Sequence, residues 1–291
     1  ESTQNNILPL TNNEINEAIG TQIFGVVGGA EIPMIWIFAD TLSIHLLLVL
    51  FVPGILAFIF GWLAFRSRVN GVYLSILTQA MTLGLSLYLF QNDSGLRGNN
   101  GLSGLQNIPN FDNITQAELS IWFLIASSLT LVATYFICNL VVKSKLGNVI
   151  KGIRDNETRI RFLGYKVESY KLFVFVITAI ISGIAGALYY PQAGIINPAE
   201  LAPIASIYLA VWVAIGGRGT LYGAVIGAAF VSLSSSYFTG GQLPNIDFGI
   251  FTFKWVDWWV VILGLSFVIT TLYAPKGIGG LVEIMFRKKQ L

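Results

Sequence analysis

Residues 171–190 read KLFVFVITAIISGIAGALYY. After Lys171 the run carries no charge, and a helix needs about 20 mainly apolar residues to cross the hydrocarbon of a bilayer. The same criterion marks 42–65, 70–90, 119–142 and 256–273. The apolar stretch 203–238 is interrupted by Gly-Gly-Arg-Gly at 216–219. An arginine at the hydrocarbon centre costs at least about 2.5–3.5 kcal/mol, so this stretch is read as two short crossings, 203–216 and 219–238, with Arg218 outside the bilayer. The expectation is an all-α fold, a polytopic transmembrane helical bundle of about seven spans over residues 42–291. Residues 1–41 form an outer polar segment. Within it 19–38 is apolar but broken by Gly28, Gly29, Glu31 and Pro33, which reads as an interfacial or re-entrant piece.

Composition agrees. The chain has 291 residues, 54% hydrophobic and 11% charged, and a mean hydropathy of +0.70. A soluble domain carries about 25% charged residues. The net charge of +2 lacks the excess of clustered cations that nucleic-acid binding requires, so no nucleic-acid partner is expected. One cysteine, Cys138, leaves no internal disulfide framework and no Cys-cluster metal site. One histidine, His45, leaves no His-box and little from which to build a triad. An enzyme is not expected, nor a metal site.

The cations set an orientation, because Lys and Arg mark the cytoplasmic side. Arg66, Arg68, the basic residues from Lys143 to Lys171, Arg218, Lys276, Arg287, Lys288 and Lys289 fall together, 15 of the 17 in the chain. Arg97 and Lys254 fall opposite. Residue 1 is therefore placed outside and the C-terminus in the cytoplasm. Trp122, Trp255, Trp258 and Trp259 sit at outer span ends and read as interfacial belt residues. Small residues spaced by four, Ala179–Gly183–Ala187 and Gly223–Gly227, allow close helix packing, within the chain or between subunits.

Proton- and ion-coupled transport needs ionisable groups at bilayer depth. Asp40, Glu118 and Asp257 lie only at span ends, and His45 lies near the start of its span. The interiors hold neutral hydrogen-bonding groups instead. Ser75, Thr78, Gln79 and Thr82 run along the second span, and Ser127, Ser128 and Thr130 along the third. Buried polar groups need partners, so these bond neighbouring helices or line a path for an uncharged polar solute. Thr78, Gln79 and Thr82 are the candidate path residues.

Between the third and fourth spans lies KSKLGNVIKGIRDNETRIRFLGYKVESYK, residues 143–171. Leu146, Val149, Ile150, Ile153, Ile160 and Leu163 share one helical face, with a gap at Asn156 and Glu157. Asp155 with Arg159, and Glu157 with Arg161, have the i, i+4 order of an exposed helix. Gly147 and Gly164 punctuate its ends. Such an element lies on headgroups or docks in a protein groove. The mixed charge favours a protein.

The loop's GIRDNETRIRFLG, 152–164, resembles the coupling loop of ABC-importer permeases of the branched-chain amino acid and urea family. So do GVYLSILTQA at 71–80, GNNGLS at 98–103, YKLFVFVITAIISGIAGALYYPQAGIINPAEL at 170–201, VWVAIGGRGTLYGAVIGA at 211–228 and APKGIGGL at 274–281. The first two are similar to the urea-type members. Family members carry further spans at the N-terminal end. The opening of this sequence, with Glu1 and a polar stretch that has no signal-peptide pattern, is therefore expected to be the start of a fragment. Tyr208 stands where urea-type relatives often carry Glu, so no carboxylate role is carried to it.

The resemblance implies the permease subunit of an ATP-driven importer in the bacterial plasma (inner) membrane, most simply for urea or a related small amide. Branched-chain amino acids, or a passive small-solute channel, are the alternatives. It implies a homologous second permease, two ATPase subunits and an extracytoplasmic substrate-binding protein as partners, besides the lipid bilayer. The chain itself would need no cofactor, ATP being bound by the partner subunits, and it has no G-x-x-x-x-G-K-[ST] loop. Within 147–164, Gly147, Ile150, Ile153, Arg154, Asn156, Glu157, Arg159, Leu163 and Gly164 would make the coupling to the ATPase. In the outer loop, Asn100-Gly101 is a turn signal, and Asn99 and Asn100 could also contact the solute or the binding protein through their amides.

Overall fold

The computed structural model describes residues 42–67, 71–91, 102–103, 116–241, 243–244, 246–247, 252–273 and 277–280. Apolar helices occupy all seven expected places: α1 (Leu42–Arg66), α2 (Val72–Leu89), α3 (Gln116–Lys143), α5 (Val167–Ala193), α6 (Pro203–Gly216), α7 (Leu221–Thr239) and α8 (Trp255–Tyr273). The amphipathic helix α4 (Lys145–Phe162) lies between α3 and α5. Six are long and apolar enough to cross a membrane. The exception is α6, whose 14 residues reach about 21 Å against a hydrocarbon thickness of about 30 Å. It stops at Gly216 because the chain turns through Gly217 and Gly219, whose φ values of 127° and 93° only glycine adopts easily. The broken stretch 19–38 lies outside the described residues.

Two compact units divide the chain, residues 1–202 and 203–291. In the first, α1 packs along α5, and the approach depends on glycine. A Cβ on Gly183 would stand 2.6 Å from Pro53 and 2.8 Å from the Val49 carbonyl; one on Gly61 would meet Leu172 at 2.9 Å. Phe175 packs edge-on against Phe65 between these helices. Beyond α5, a short strand β2 (Ile195–Ile196) pairs antiparallel with β1 (Leu102–Ser103). A 3₁₀ turn, Pro198–Leu201, follows; Asn197 caps it by accepting from the Ala199 N–H at 2.9 Å. This turn is where α2 is anchored: the buried Ser86 hydroxyl donates to the Pro198 carbonyl at 3.1 Å.

In the second unit α6, α7 and α8 close around Ile215, Val231, Trp259 and Leu263. Phe238 stacks on Trp259, ring centres 5.1 Å apart. Trp259 is therefore a core residue and not a member of the interfacial belt, whereas Trp258 and Trp122 are exposed. Gly216, Gly223 and Gly227 bring the backbones of α6 and α7 into contact, and residues 277–280 pack Gly277 and Gly279 onto the same place. The small-residue spacings thus serve packing within the chain. A final hairpin pairs β3 (Ile246–Asp247) with β4 (Thr252–Phe253).

Elsewhere the helices turn apolar side chains outward. Leu140 is 70% exposed and Leu233 72%. A soluble monomer does not expose continuous apolar faces of this extent; a helix bundle in lipid does, since lipid tails are as apolar as leucine. Glu118 and Asp257 stand in the first turns of α3 and α8, and Arg66 and Lys143 in the last turns of α1 and α3. The charges lie at the ends, as a hydrocarbon surrounding requires. The chain is an integral membrane protein.

Candidate functional site

Where α3 stops, Ser144 takes extended backbone geometry and its hydroxyl accepts from the Gly147 N–H at 3.2 Å, starting α4. The reversal is so tight that a Cβ on Gly147 would collide with the carbonyls of Val141 and Val142. Gly147 is buried there. Along the next turns Val149, Ile150 and Ile153 lie half-buried against the chain's own spans. With Phe65, Leu74, Tyr170 and Val174 of α1, α2 and α5, Ile150 and Ile153 line an apolar cavity of about 400 Å³. Arg154 stands at its edge, 68% exposed, donating to Asp155 at 3.1 Å.

At Asn156 the helix breaks: φ −156° and ψ 96° are extended values. Its side chain then restarts the helix, accepting from the Arg159 N–H at 2.9 Å as an N-cap does. Because the break intervenes, the expected Asp155–Arg159 pair does not form, and Asp155 holds Arg154 instead. The Glu157–Arg161 pair does form, at 3.0 Å. It belongs to a longer chain of charges. Lys171 bonds the other oxygen of Glu157 at 2.7 Å, and Arg161 reaches Glu168 at 2.9 Å. The second segment of α4 is thereby tied to the start of α5. Ile160 folds back over Gly152, where a Cβ would leave only 2.7 Å. The segment ends with Phe162 86% and Leu163 67% exposed, before Gly164 turns the chain with φ 88°.

The coupling candidates therefore divide. Gly147, Ile150, Ile153 and Glu157 face their own unit; Arg154, Asn156, Arg159, Leu163 and Gly164 are exposed. Phe162 joins the exposed set. It lies off the 3.6-residue apolar stripe, which is why the pattern passed over it. Lys171 and Glu168 were missed because their partners lie across a turn; their signs, opposite to those of Glu157 and Arg161, were the available signal.

In α2 the polar residues form one face. Thr78, Gln79 and Thr82 are half-buried and Ser86 buried, while Val72, Tyr73, Ile76 and Leu83 face out. Thr78 donates to the Ser75 carbonyl at 2.9 Å, and Thr82 to that of Thr78. In α3, Ser128 and Thr130 likewise bond carbonyls four residues back. Thr78, Thr82, Ser128 and Thr130 thus donate within their own helices and not to neighbouring ones. Gln192 of α5 reaches across to α3, donating to the Ser127 hydroxyl at 3.3 Å. Asn99 and Asn100 lie outside the described residues. Among those described, no group of three His, Cys, Asp or Glu side chains could hold a metal.

A bundle of spans carrying a kinked, ion-paired helix between the third and fifth helices invites comparison with known transport proteins. The family described as the branched-chain amino acid transport system / permease component matches residues 16–271. The chain belongs to this family. The chain is 23% identical over 232 residues to the high-affinity branched-chain amino acid transport system permease protein LivM of Salmonella typhimurium, covering 72% of this chain and 51% of that protein. LivM of Escherichia coli K12 gives the same figures. The autoinducer 2 import system permease protein LsrC of Photorhabdus laumondii is 23% identical over 226 residues, 75% of this chain and 61% of the relative. The chain spans about half the length of the LivM proteins it matches. No solved structure matches it.

Proposed function

We propose that the permease is the transmembrane subunit of an ATP-driven importer for a small uncharged or zwitterionic polar solute, and that the second segment of α4 docks a separate ATPase. The observation that carries this reading is the exposed Phe162–Leu163 pair on a segment clamped to α5 by Glu157, Arg161, Glu168 and Lys171. An apolar anchor gives affinity, and the charged Asp155 and Arg159 give register. Movement of the docked tip passes through the ion pairs to α5 and, by the close glycine packing, to α1. Such rigid-body switching between two arrangements is how packed helices change access.

Two solute classes are in play. Urea or a related amide is supported by the urea-type GVYLSILTQA and GNNGLS segments; branched-chain amino acids are supported equally by the LivM relatives. Thr78, Gln79 and Thr82 with Asn99 and Asn100 are the proposed contacts. A homologous second permease and an extracytoplasmic binding protein complete the proposed assembly in the bacterial plasma membrane, with α4 and the C-terminus cytoplasmic. The clustering of 15 of 17 cations supports that orientation.

Copurification from native membranes, with mass spectrometry of the associated chains, tests the class. An ATPase and a second permease are expected; a chain that purifies alone and passes solute without ATP is a passive channel. Orientation is tested in a Cys138-replaced background: an impermeant thiol reagent should modify Asn148→Cys from the cytoplasmic side and Asn99→Cys from outside. Labelling of both from one side overturns the topology.

A further inference from the structure

The first segment of α4 has a chemistry that ATPase docking leaves unused. Residues 143–154 hold Lys143, Lys145, Lys151 and Arg154 and no acid. Its apolar residues turn into the chain, and Lys143, Lys145, Lys151 and Arg154 are all exposed. The charge balance changes at Asp155, where Asp155, Glu157 and Glu168 begin to alternate with the cations. The cavity of about 400 Å³ opens beside the cationic half alone. One wall climbs α5 from Tyr170 and Lys171 through Val174 and Phe175 to Thr178. Eight residues of helix carry that wall about 12 Å along the span. Its volume lies in the range of ligand pockets, and its lining is overwhelmingly apolar with cations at the edge.

We propose that this cavity holds an anionic phospholipid, its phosphate on Lys151 and Arg154 and one acyl chain along Leu74, Val174 and Phe175. The position is at the end of the spans, where α1 finishes at Arg66 and α2 begins after Gly71. Basic, amphipathic helical segments at this depth attract acidic headgroups. A polar partner peptide would leave the apolar wall uncovered; a neutral lipid would leave Lys151 without an anion, Arg154 and Lys171 being paired to Asp155 and Glu157. The lipid would fill the gap behind Ile150 and Ile153 and so hold the first segment of α4 against the spans while the second segment stays free to dock. The assignment stands apart from the identity of the solute and of the ATPase.

The test uses the full chain in detergent with equimolar phosphatidylglycerol and phosphatidylcholine, read by native mass spectrometry. The wild type should retain phosphatidylglycerol over phosphatidylcholine. Lys151→Gln and Arg154→Gln should each lower that preference about fivefold, with Lys254→Gln, in the other unit, as the unchanged control. Val174→Trp should abolish retention with every charge in place, and Thr178→Leu, a smaller change on the same wall, should weaken it even where the tryptophan variant does not fold. Equal retention of the two lipids by the wild type overturns the proposal. So does a preference that survives both Val174→Trp and Thr178→Leu, which would mean surface attraction without a slot. A cysteine at Ile153 protected in native membranes only while a protein partner is bound would assign the cavity to that partner instead.

Discussion

Before Asn156, α4 turns Val149, Ile150 and Ile153 toward its own spans; after it, the helix turns Phe162 and Leu163 outward. The first segment is cationic and unpaired with acids until Arg154 meets Asp155; the second is knitted to α5 by Glu157, Arg161, Lys171 and Glu168. One sequence stripe thus serves two surfaces. After the break Ile160 still folds back over Gly152, while Leu163, on the same sequence line, turns outward beside the off-line Phe162. The difference teaches that amphipathic periodicity locates a helix but does not say which of its apolar residues are spoken for.

The largest effect expected is from Glu157→Arg. It removes two ion pairs and sets a third cation beside Arg161 and Lys171. Solute-stimulated ATPase activity of the reconstituted complex should fall at least tenfold while helical content is unchanged, since partly buried charge pairs lose most when one partner is reversed. Equal stimulation would separate the clamp from coupling.

The apolar tip comes next. Phe162→Ala should weaken binding of the copurifying ATPase about tenfold or more, the range of an exposed aromatic anchor, and leave hydrogen exchange of α4 unaltered. Ile153→Ala should do the reverse: faster exchange over 145–155 from lost packing, with ATPase affinity kept. If Ile153→Ala loses the ATPase and Phe162→Ala does not, the assignment of the two surfaces is inverted.

The smallest effect concerns the break itself. Asn156→Ala deletes a cap worth about 1 kcal/mol, so the amides of 159–162 should exchange about fivefold faster. Asn156→Asp should restore protection, because a carboxylate accepts from the Arg159 N–H equally well. No change in either variant would mean the ion pairs alone hold the second segment.

Much of this was legible in the residues. The span boundaries followed the apolar runs closely: 42–65 became Leu42–Arg66, and 219–238 became Leu221–Thr239. The Glu157–Arg161 pair followed from helical spacing. Asp155–Arg159 followed from the same rule and failed, because the rule assumes an unbroken helix and Asn156 breaks it. Trp259 read as a belt residue from its place at a span end and proved to be core, since a span end next to Phe238 is a packed environment. The polar run of α2 read as bonding neighbouring helices or lining a path; Thr78 and Thr82 take carbonyls of their own helix, which answers only the first alternative.

The sequence by itself determined that this chain is a bundle of membrane helices, where each begins and ends, and that one charged amphipathic helix interrupts them. Those features depend on transfer of side chains between water and hydrocarbon, which is large and local to each stretch. Tertiary structure alone decided that Glu157 joins Lys171, that Gly183 admits Pro53, that Ser86 reaches Pro198, and that a cavity opens behind Ile150 and Ile153. These are encounters between residues far apart in the chain. Their energy depends on a few tenths of an ångström, and no periodicity records it.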